Sequence, residues 1–501
     1  MGEEIIKDLS SNIIKWYDFK ENSQIVYIGE NEDIVKELSK KNTVEAIKEI
    51  KELTNNNRYD YIIVDTTEIE KVDIQKLKQN LKEDGKLIFL LDNKYGISNF
   101  ITYNYEEQIS SLNEQKNYTN IKEICENLKE NNFFINKYMI YPNKDKTDII
   151  INENYGDISN KIDKYFYNYD ENKIVLSDEI DLLRNIESYD IELFKKLANS
   201  YFIEASVSNI GNQIKYVSFN NYRKDQYRLI TKIEKDIVIK QAENEKAEKH
   251  IKNIAESLQH LQKYNFKILD KYENNTLYSI LTDGQTLDIE LANNAENTDY
   301  IVDIMEQIKQ ELLKNSIKYN QIEMQQIYEN IEEGLLQQLN YMEYAFYDMV
   351  PKNCFHINEE FYFFDQEWME KYLPVEFIIY RSIINSYDLV RKINVDELLE
   401  RLGILKYKEL FENIDKILRE KIIDKDRLNL CQKQYKKMYE IIYNNKVLEQ
   451  ENKNYQQEIE NCKVAIEDYK ENNIKQNEYI KALESQIEEM KKKKGFWSKL
   501  K

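Results

Sequence analysis

Asp348, Asn353 and Asp365 are the residues whose types and spacing could do chemistry. They lie in the stretch DMVPKNCFHINEEFYFFDQEW, residues 348–368. Cys354 to Ile357 reads as a short strand and Asn358-Glu359-Glu360 as a polar turn. Phe361 to Phe364 reads as a second strand, aromatic and suited to a sheet. Two acids and an amide then meet at the mouth of one hairpin. That set suits magnesium, a hard ion that takes oxygen ligands and shares them with ATP phosphates. The chain is rich in Asp, Asn and Glu, so a purely structural hairpin explains the same residues as well.

The spacing of Asp348 and Asn353 resembles the D-x-x-x-x-N catalytic loop of kinases. The resemblance implies that Asp348 accepts the proton of a substrate hydroxyl and that Asn353 holds magnesium. Asp365 falls where protein kinases carry the metal-binding Asp of D-F-G. Upstream, Ile237-Val238-Ile239-Lys240 has the form of the V-A-I-K strand, whose Lys would reach the ATP α- and β-phosphates. A strand-end Lys is also ordinary. A helix is expected from Glu243 to Leu261, with Ala247, Ile251, Ile254, Leu258 and Leu261 on one face. Glu248, early in that helix, is the expected partner of Lys240, while Glu256 points away from the stripe; a solvated helix face is the alternative. The strand Leu277 to Leu281, followed by Thr282-Asp283-Gly284, resembles the hinge of aminoglycoside- and choline-type kinases. It implies that backbone around Asp283 and Gly284 holds the adenine.

In this order the cues resemble the aminoglycoside-phosphotransferase-like kinases over residues 198–431. Two features depart from the pattern. Phe346-Tyr347 stands where a His usually precedes the catalytic Asp, and the polar turn Asn220 to Asp225 has no glycine. Strands are expected over Tyr201–Ala205, Ile214–Phe219, Tyr227–Ile233 and Asp236–Lys240 as one small antiparallel sheet. Long helices are expected over Tyr300–Asn315 and Asn320–Tyr347, and Pro374 and Arg381 are expected to brace the lobe.

The first 150 residues alternate strands and helices, which implies a parallel α/β sheet with its ligand at the carboxyl ends of the strands. Strands are read at Ile25–Gly29, Tyr59–Asp65 and Lys86–Leu91, and a helix near Glu32–Lys40. The segment DGKLIFLLDNKYGI, residues 84–97, resembles class I S-adenosylmethionine-dependent methyltransferase domains from bacterial surface-polysaccharide loci. Only Gly29 follows the first strand where a working cofactor loop carries several glycines, and Asn42 to Leu53 reads as helix where a second strand is needed. Gly29, Glu30 and Asp65 are therefore read as a vestigial S-adenosylmethionine rim, and methylation is not expected.

Length and charge bound the rest. The 501 residues suggest about three domains, and a net charge of −20 argues against a general nucleic-acid surface. Four scattered cysteines without C-x-x-C, and three histidines, suit a reduced, cytoplasmic setting and no zinc site. Met1 to Lys20 has no apolar core, so no signal peptide is expected, and no run reaches a membrane span. From Leu448 a heptad runs with Asn452, Ile459, Ile466, Asn473, Ile480 and Ile487 at a, and Leu448, Tyr455, Cys462, Tyr469, Gln476, Leu483 and Met490 at d. It predicts a dimeric or trimeric coiled coil, with a lone solvated helix as the alternative. The last residues, KKKKGFWSKLK, suit either an interfacial membrane anchor or a solubilising tail.

The expected fold class is α/β and α+β multidomain: a degenerate Rossmann-like methyltransferase domain (1–152), a helical connector (153–197), a two-lobed kinase-like domain (198–435), a coiled coil (441–490) and a basic tail (491–501). That order resembles bifunctional methyltransferase–kinase proteins that cap O-antigen polymannose chains. It implies an ATP- and magnesium-dependent phosphotransferase on a glycan or its lipid-linked precursor, oligomeric and bound to a glycosyltransferase at the inner membrane face. Two inactive domains serving as a scaffold, a small-molecule kinase, and a polysaccharide methyltransferase are the competing readings.

Overall fold

The computed structural model describes residues 9–498 except 55–57, 66–72, 105–107, 114–119, 157–161, 163–172, 212–213, 262–263, 265, 281–283, 324–325 and 330. It divides into two units, residues 1–434 and 435–501.

The first unit is built on one mixed sheet of 12 strands. Its parallel part consists of Thr43–Ile47, Gln24–Ile28, Tyr59–Val64 and Leu81–Asp92, in that spatial order. Ile25, Val26, Tyr27 and Ile28 are all buried, as are Ile62, Ile63 and Val64. Such runs are apolar on both faces because both faces of a parallel sheet are covered. Asn31 caps the following helix, Glu32–Ser39, by accepting from the Asp33 and Ile34 amides.

Three expectations are corrected. Thr43–Ile47 is a strand, not a helix: it extends the parallel edge beside Gln24–Ile28, where its β-branched Thr, Val and Ile suit pleated backbone. Ser200–Ser206 does not lie with the later strands but antiparallel between Leu81–Asp92 and Phe134–Tyr141. All seven of its residues are buried, so only a central position satisfies its apolar side chains and both rows of backbone groups. Asn320–Tyr347 is not a long helix. It contains the short helix Glu333–Leu336 and the strand Asn340–Phe346, which pairs with Ser316–Lys318 and Met369–Pro374. Buried aromatics and β-pairing on both sides override its helical propensity.

Beyond Ile149–Asn152 the sheet continues antiparallel through Ile214–Phe219, Leu229–Glu234, Ile237–Ala242, Thr276–Ile280 and Asp270–Glu273. The helix Glu248–Leu261 interrupts this run in sequence. It packs Ile251 and Ile254 against Leu229 and Leu277. Thr298–Leu313 and Val375–Ile384 are helices of a separate, largely helical core. On that core sits the hairpin Cys354–Ile357 with Glu360–Phe363, paired as the sequence predicts.

The second unit is helical. It lies within the helix Lys425–Ser498, in which Tyr455, Ile459, Ile466, Tyr469, Ile480 and Ile487 are exposed. Among the described residues no helix is long and apolar enough to cross a membrane.

Candidate functional site

The hairpin brings the chemistry together. The Phe364 amide donates to the Asn353 carbonyl at 3.0 Å, so Asp365 leaves the second strand one residue beyond the end of the catalytic-type loop. Asn353 donates its side-chain amide to the Asp348 carbonyl at 3.2 Å. Among the described residues nothing donates to its amide oxygen. Asp365 adopts φ +61°, a left-handed turn that Asp tolerates better than most residues. An amide oxygen and a carboxylate are hard donors, and magnesium usually takes one or two protein ligands and completes its shell with phosphate and water. The pair fits that ion. Among the described residues no three His, Cys, Asp or Glu side chains form a further metal cluster.

Lys240 reaches this turn from Ile237–Ala242, a strand of the large sheet, whereas the hairpin belongs to a separate three-stranded sheet. Its ammonium donates to both Asp365 and Glu367. Burial alone would depress its pKa, but the Asp365 and Glu367 charges hold it above the usual lysine range. Glu248 does not take part. It is exposed at the first turn of its helix, and the buried face there presents His250 and Ile251. A helical face turns away every position off the stripe, and Glu248 is off it. Its expected role as partner of Lys240 is corrected to Glu367, which lies 6% exposed. Burial pushes the Glu367 carboxyl up, yet Arg223 and Lys240 outweigh it and keep the group ionised.

Asp348 is half-buried. Its pKa is raised to about 7 by burial, then by the Asp365 and Glu367 charges, against a smaller opposing pull from Arg381 and Lys352. A carboxylate poised near neutrality suits a general base. Its loop is held from below: Arg381 donates to the Tyr347 carbonyl at 2.9 Å and pairs with Asp415, the bracing expected of it. Gln366, fully buried, donates to the Asp348 and Phe364 carbonyls at 3.1 and 2.8 Å.

Sequence reasoning missed Asp270. This buried carboxylate accepts from the Asp365 and Gln366 amides at 3.2 and 3.1 Å and from the Ser279 hydroxyl. It stabilises the left-handed turn. Nothing around it in sequence marks it, because its partners are 95 and 96 residues away. Arg223 was also missed, since the turn that carries it, Asn220 to Asp225, is marked in sequence only by its lack of glycine. Of the expected adenine contacts, Gly284 is exposed in a bend after Thr276–Ile280, and Asp283 lies outside the described residues.

No protein-family model and no curated protein matches the chain. Solved structures similar to it include a SAM-dependent methyltransferase, possible histamine N-methyltransferase, from Thermotoga maritima, with 11% identity over 41% of this chain and 91% of that one, TM-score 0.24. Another is the plantazolicin methyltransferase BpumL in complex with SAH, with 12% identity over 42% and 85%, TM-score 0.22. A third is the streptomycin-ATP-APH(2″)-IIa ternary complex, with 13% identity over 44% and 90%, TM-score 0.24. Likeness at this level does not assign chemistry, which rests on the residues of the site.

In the first half the polar groups around Asp65 pair with one another. The Tyr27 hydroxyl donates to Asp65 at 2.6 Å, and Lys144 donates to the other Asp65 oxygen at 2.5 Å. Lys144 also lies 4.0 Å from Asp92, whose pKa is raised to about 6, chiefly by burial. Gly29 is required by close packing: a Cβ there would sit 2.6 Å from the Asp65 carbonyl and 2.8 Å from the Tyr27 hydroxyl. Glu30 is exposed and pairs with Lys48 at 3.3 Å. The DNKYG segment has a structural task. Asn93 donates to the Lys196 and Ala198 carbonyls at 2.8 and 2.7 Å, and Gly96 lets the chain pass Asn199, whose Cα a Cβ would meet at 2.7 Å. The segment thereby seats the inserted strand Ser200–Ser206.

Proposed function

We propose that the second half of the first unit is a phosphotransferase site using magnesium-bound ATP, with a hydroxyl of a surface glycan or its lipid-linked precursor as acceptor. The observation that carries the reading is Lys240 on Asp365, beside Asp348 and Asn353. Residues 125 apart meet at one point, and each has a use in phosphoryl transfer. Asp348 takes the acceptor proton, Asn353 and Asp365 hold magnesium, and Lys240 steadies phosphate oxygens. Magnesium-bound ATP supplies the phosphoryl group. Catalysis by such a site is mostly positioning and charge neutralisation.

The first half then serves as a framework without methyl transfer. In support, both Asp65 carboxylate oxygens are already engaged, one by Tyr27 and the other by Lys144. Residues 441–490 self-associate as a dimer or trimer, because an apolar seam exposed on a single helix is covered in a coiled coil. Residues 491–501 lie at an anionic membrane surface, and a glycosyltransferase is the partner held there. Deleting residues 441–501 is expected to leave a folded monomer by light scattering; an unchanged oligomer refutes the self-association.

A scaffold without catalysis is the second reading, favoured by the pairing of both Asp65 oxygens within the chain. One measurement separates the two: thermal shift with magnesium and ATP on the wild type and on Asp365→Ala. A ligand at one hundred times its dissociation constant stabilises by about 2.7 kcal/mol. A shift in the wild type that Asp365→Ala loses supports the phosphotransferase. No shift in either overturns it in favour of the scaffold.

A further inference from the structure

Among the described residues no helix carboxylate holds Lys240, and the turn Asn220 to Asp225 has no glycine. This turn, between Ile214–Phe219 and Leu229–Glu234, is pinned rather than free. The Asn221 side chain donates to Asp148 and accepts from Asn12 at 2.9 Å. The Lys224 amide donates to the Ile422 carbonyl at 2.9 Å, and the Asp424 amide to the Tyr222 carbonyl at 3.0 Å. Arg223, between these anchors, is aimed inward. Its guanidinium lies 5.1 Å from the Trp368 ring centroid and donates to Glu367 at 2.7 Å. Glu367 thus spends one oxygen on Arg223 and the other on Lys240.

The two acids on Lys240 are not equivalent. The Glu367 side chain is 3% exposed, whereas that of Asp365 is 37% exposed. A carboxylate gripped by two cations away from water stays where it is, and one open to water can exchange a lysine for a metal ion.

We propose that Arg223 and Glu367 are the positioning residues of Lys240: Glu367 is its permanent counter-ion, Arg223 fixes Glu367, and Asp365 is the exchangeable contact given up to magnesium. The inference rests on the phosphotransferase reading. It adds that a residue two past the metal-binding Asp and an arginine from a pinned turn hold the lysine in place of a helix carboxylate. It also ties the first half to the site, since Asn12 and Asp148 anchor the turn.

The test is a double-mutant cycle read by calorimetry of magnesium-bound ATP on the full chain. Lys240→Met and Glu367→Gln should each weaken binding about tenfold, a moderate loss for a charge-assisted contact. The double variant should be no weaker than Lys240→Met alone, because Glu367 acts through Lys240. Additive losses, or an unchanged affinity in Glu367→Gln, overturn the proposal, as does an equal loss in Glu248→Gln. Should Glu367→Gln not fold, Arg223→Gln takes its place in the cycle, with the same two outcomes. No binding by the wild type is a different result: it refutes the phosphotransferase reading on which this proposal depends.

Discussion

Replacing Asp348 by Asn should stabilise the protein at alkaline pH while removing its base. The Asp348 carboxyl is raised from 3.8 to about 7 by burial and by Asp365 and Glu367. At about 1.4 kcal/mol per tenfold change in proton affinity, ionising it within the fold costs on the order of 4 kcal/mol. Water reaches part of this half-buried residue, which screens the cost to about 2 kcal/mol. The sign follows from linkage. Because the folded pKa is the higher one, the folded state holds the proton more tightly. Its stabilising contribution is complete below the unfolded value near 4 and is lost as pH rises through about 7. Asn carries no charge at any pH, so the variant escapes the loss. With unfolding entropy of roughly 2 cal/mol/K per residue, about 2 kcal/mol over a unit of this size moves Tm by about 2 °C. Calorimetric unfolding should therefore show Asp348→Asn above the wild type by about this amount at pH 8, with the gap closing toward pH 4. Nucleotide binding should persist, since the proton acceptor is not a phosphate ligand. A variant with equal or lower Tm at pH 8 would refute the claim that this carboxylate is held against its charge.

Three further outcomes concern the framework. Gly29→Ala should lower stability by about 1–3 kcal/mol in urea unfolding, because the new Cβ meets the Asp65 backbone rather than a movable side-chain tip. Lys144→Met should cost about 3 kcal/mol by the same assay, since it leaves the buried Asp65 carboxylate and the half-buried Asp92 without their cation; calorimetry with S-adenosylmethionine should give no binding heat in the wild type. Asn221→Ala should cost about 1–3 kcal/mol and weaken magnesium-bound ATP binding, because the freed turn no longer aims Arg223.

The sequence by itself determined the local elements and the residues of the loop. Alternation and aromatic content placed a hairpin at 354–364, close to the observed one, and Asp348, Asn353 and Asp365 were singled out by their spacing around it. The strand ending near Lys240, the helix after it and the exposed heptad seam were legible for the same reason: each is a short-range pattern that one segment carries alone. Tertiary structure decided what meets what. Ser200–Ser206 reads as a strand in sequence, but its place depends on pairing with Leu81–Asp92, more than a hundred residues earlier. Thr43–Ile47 is a strand because Gln24–Ile28 offers it an edge. The lysine partner went to Glu367 and not Glu248 because a helix face is set by packing, and here packing turned Glu248 to water. Asp270 and Arg223 carry no local mark at all. Their roles come from hydrogen bonds and charge pairs closed across the fold, and such contacts exist only once the chain has brought distant residues within reach.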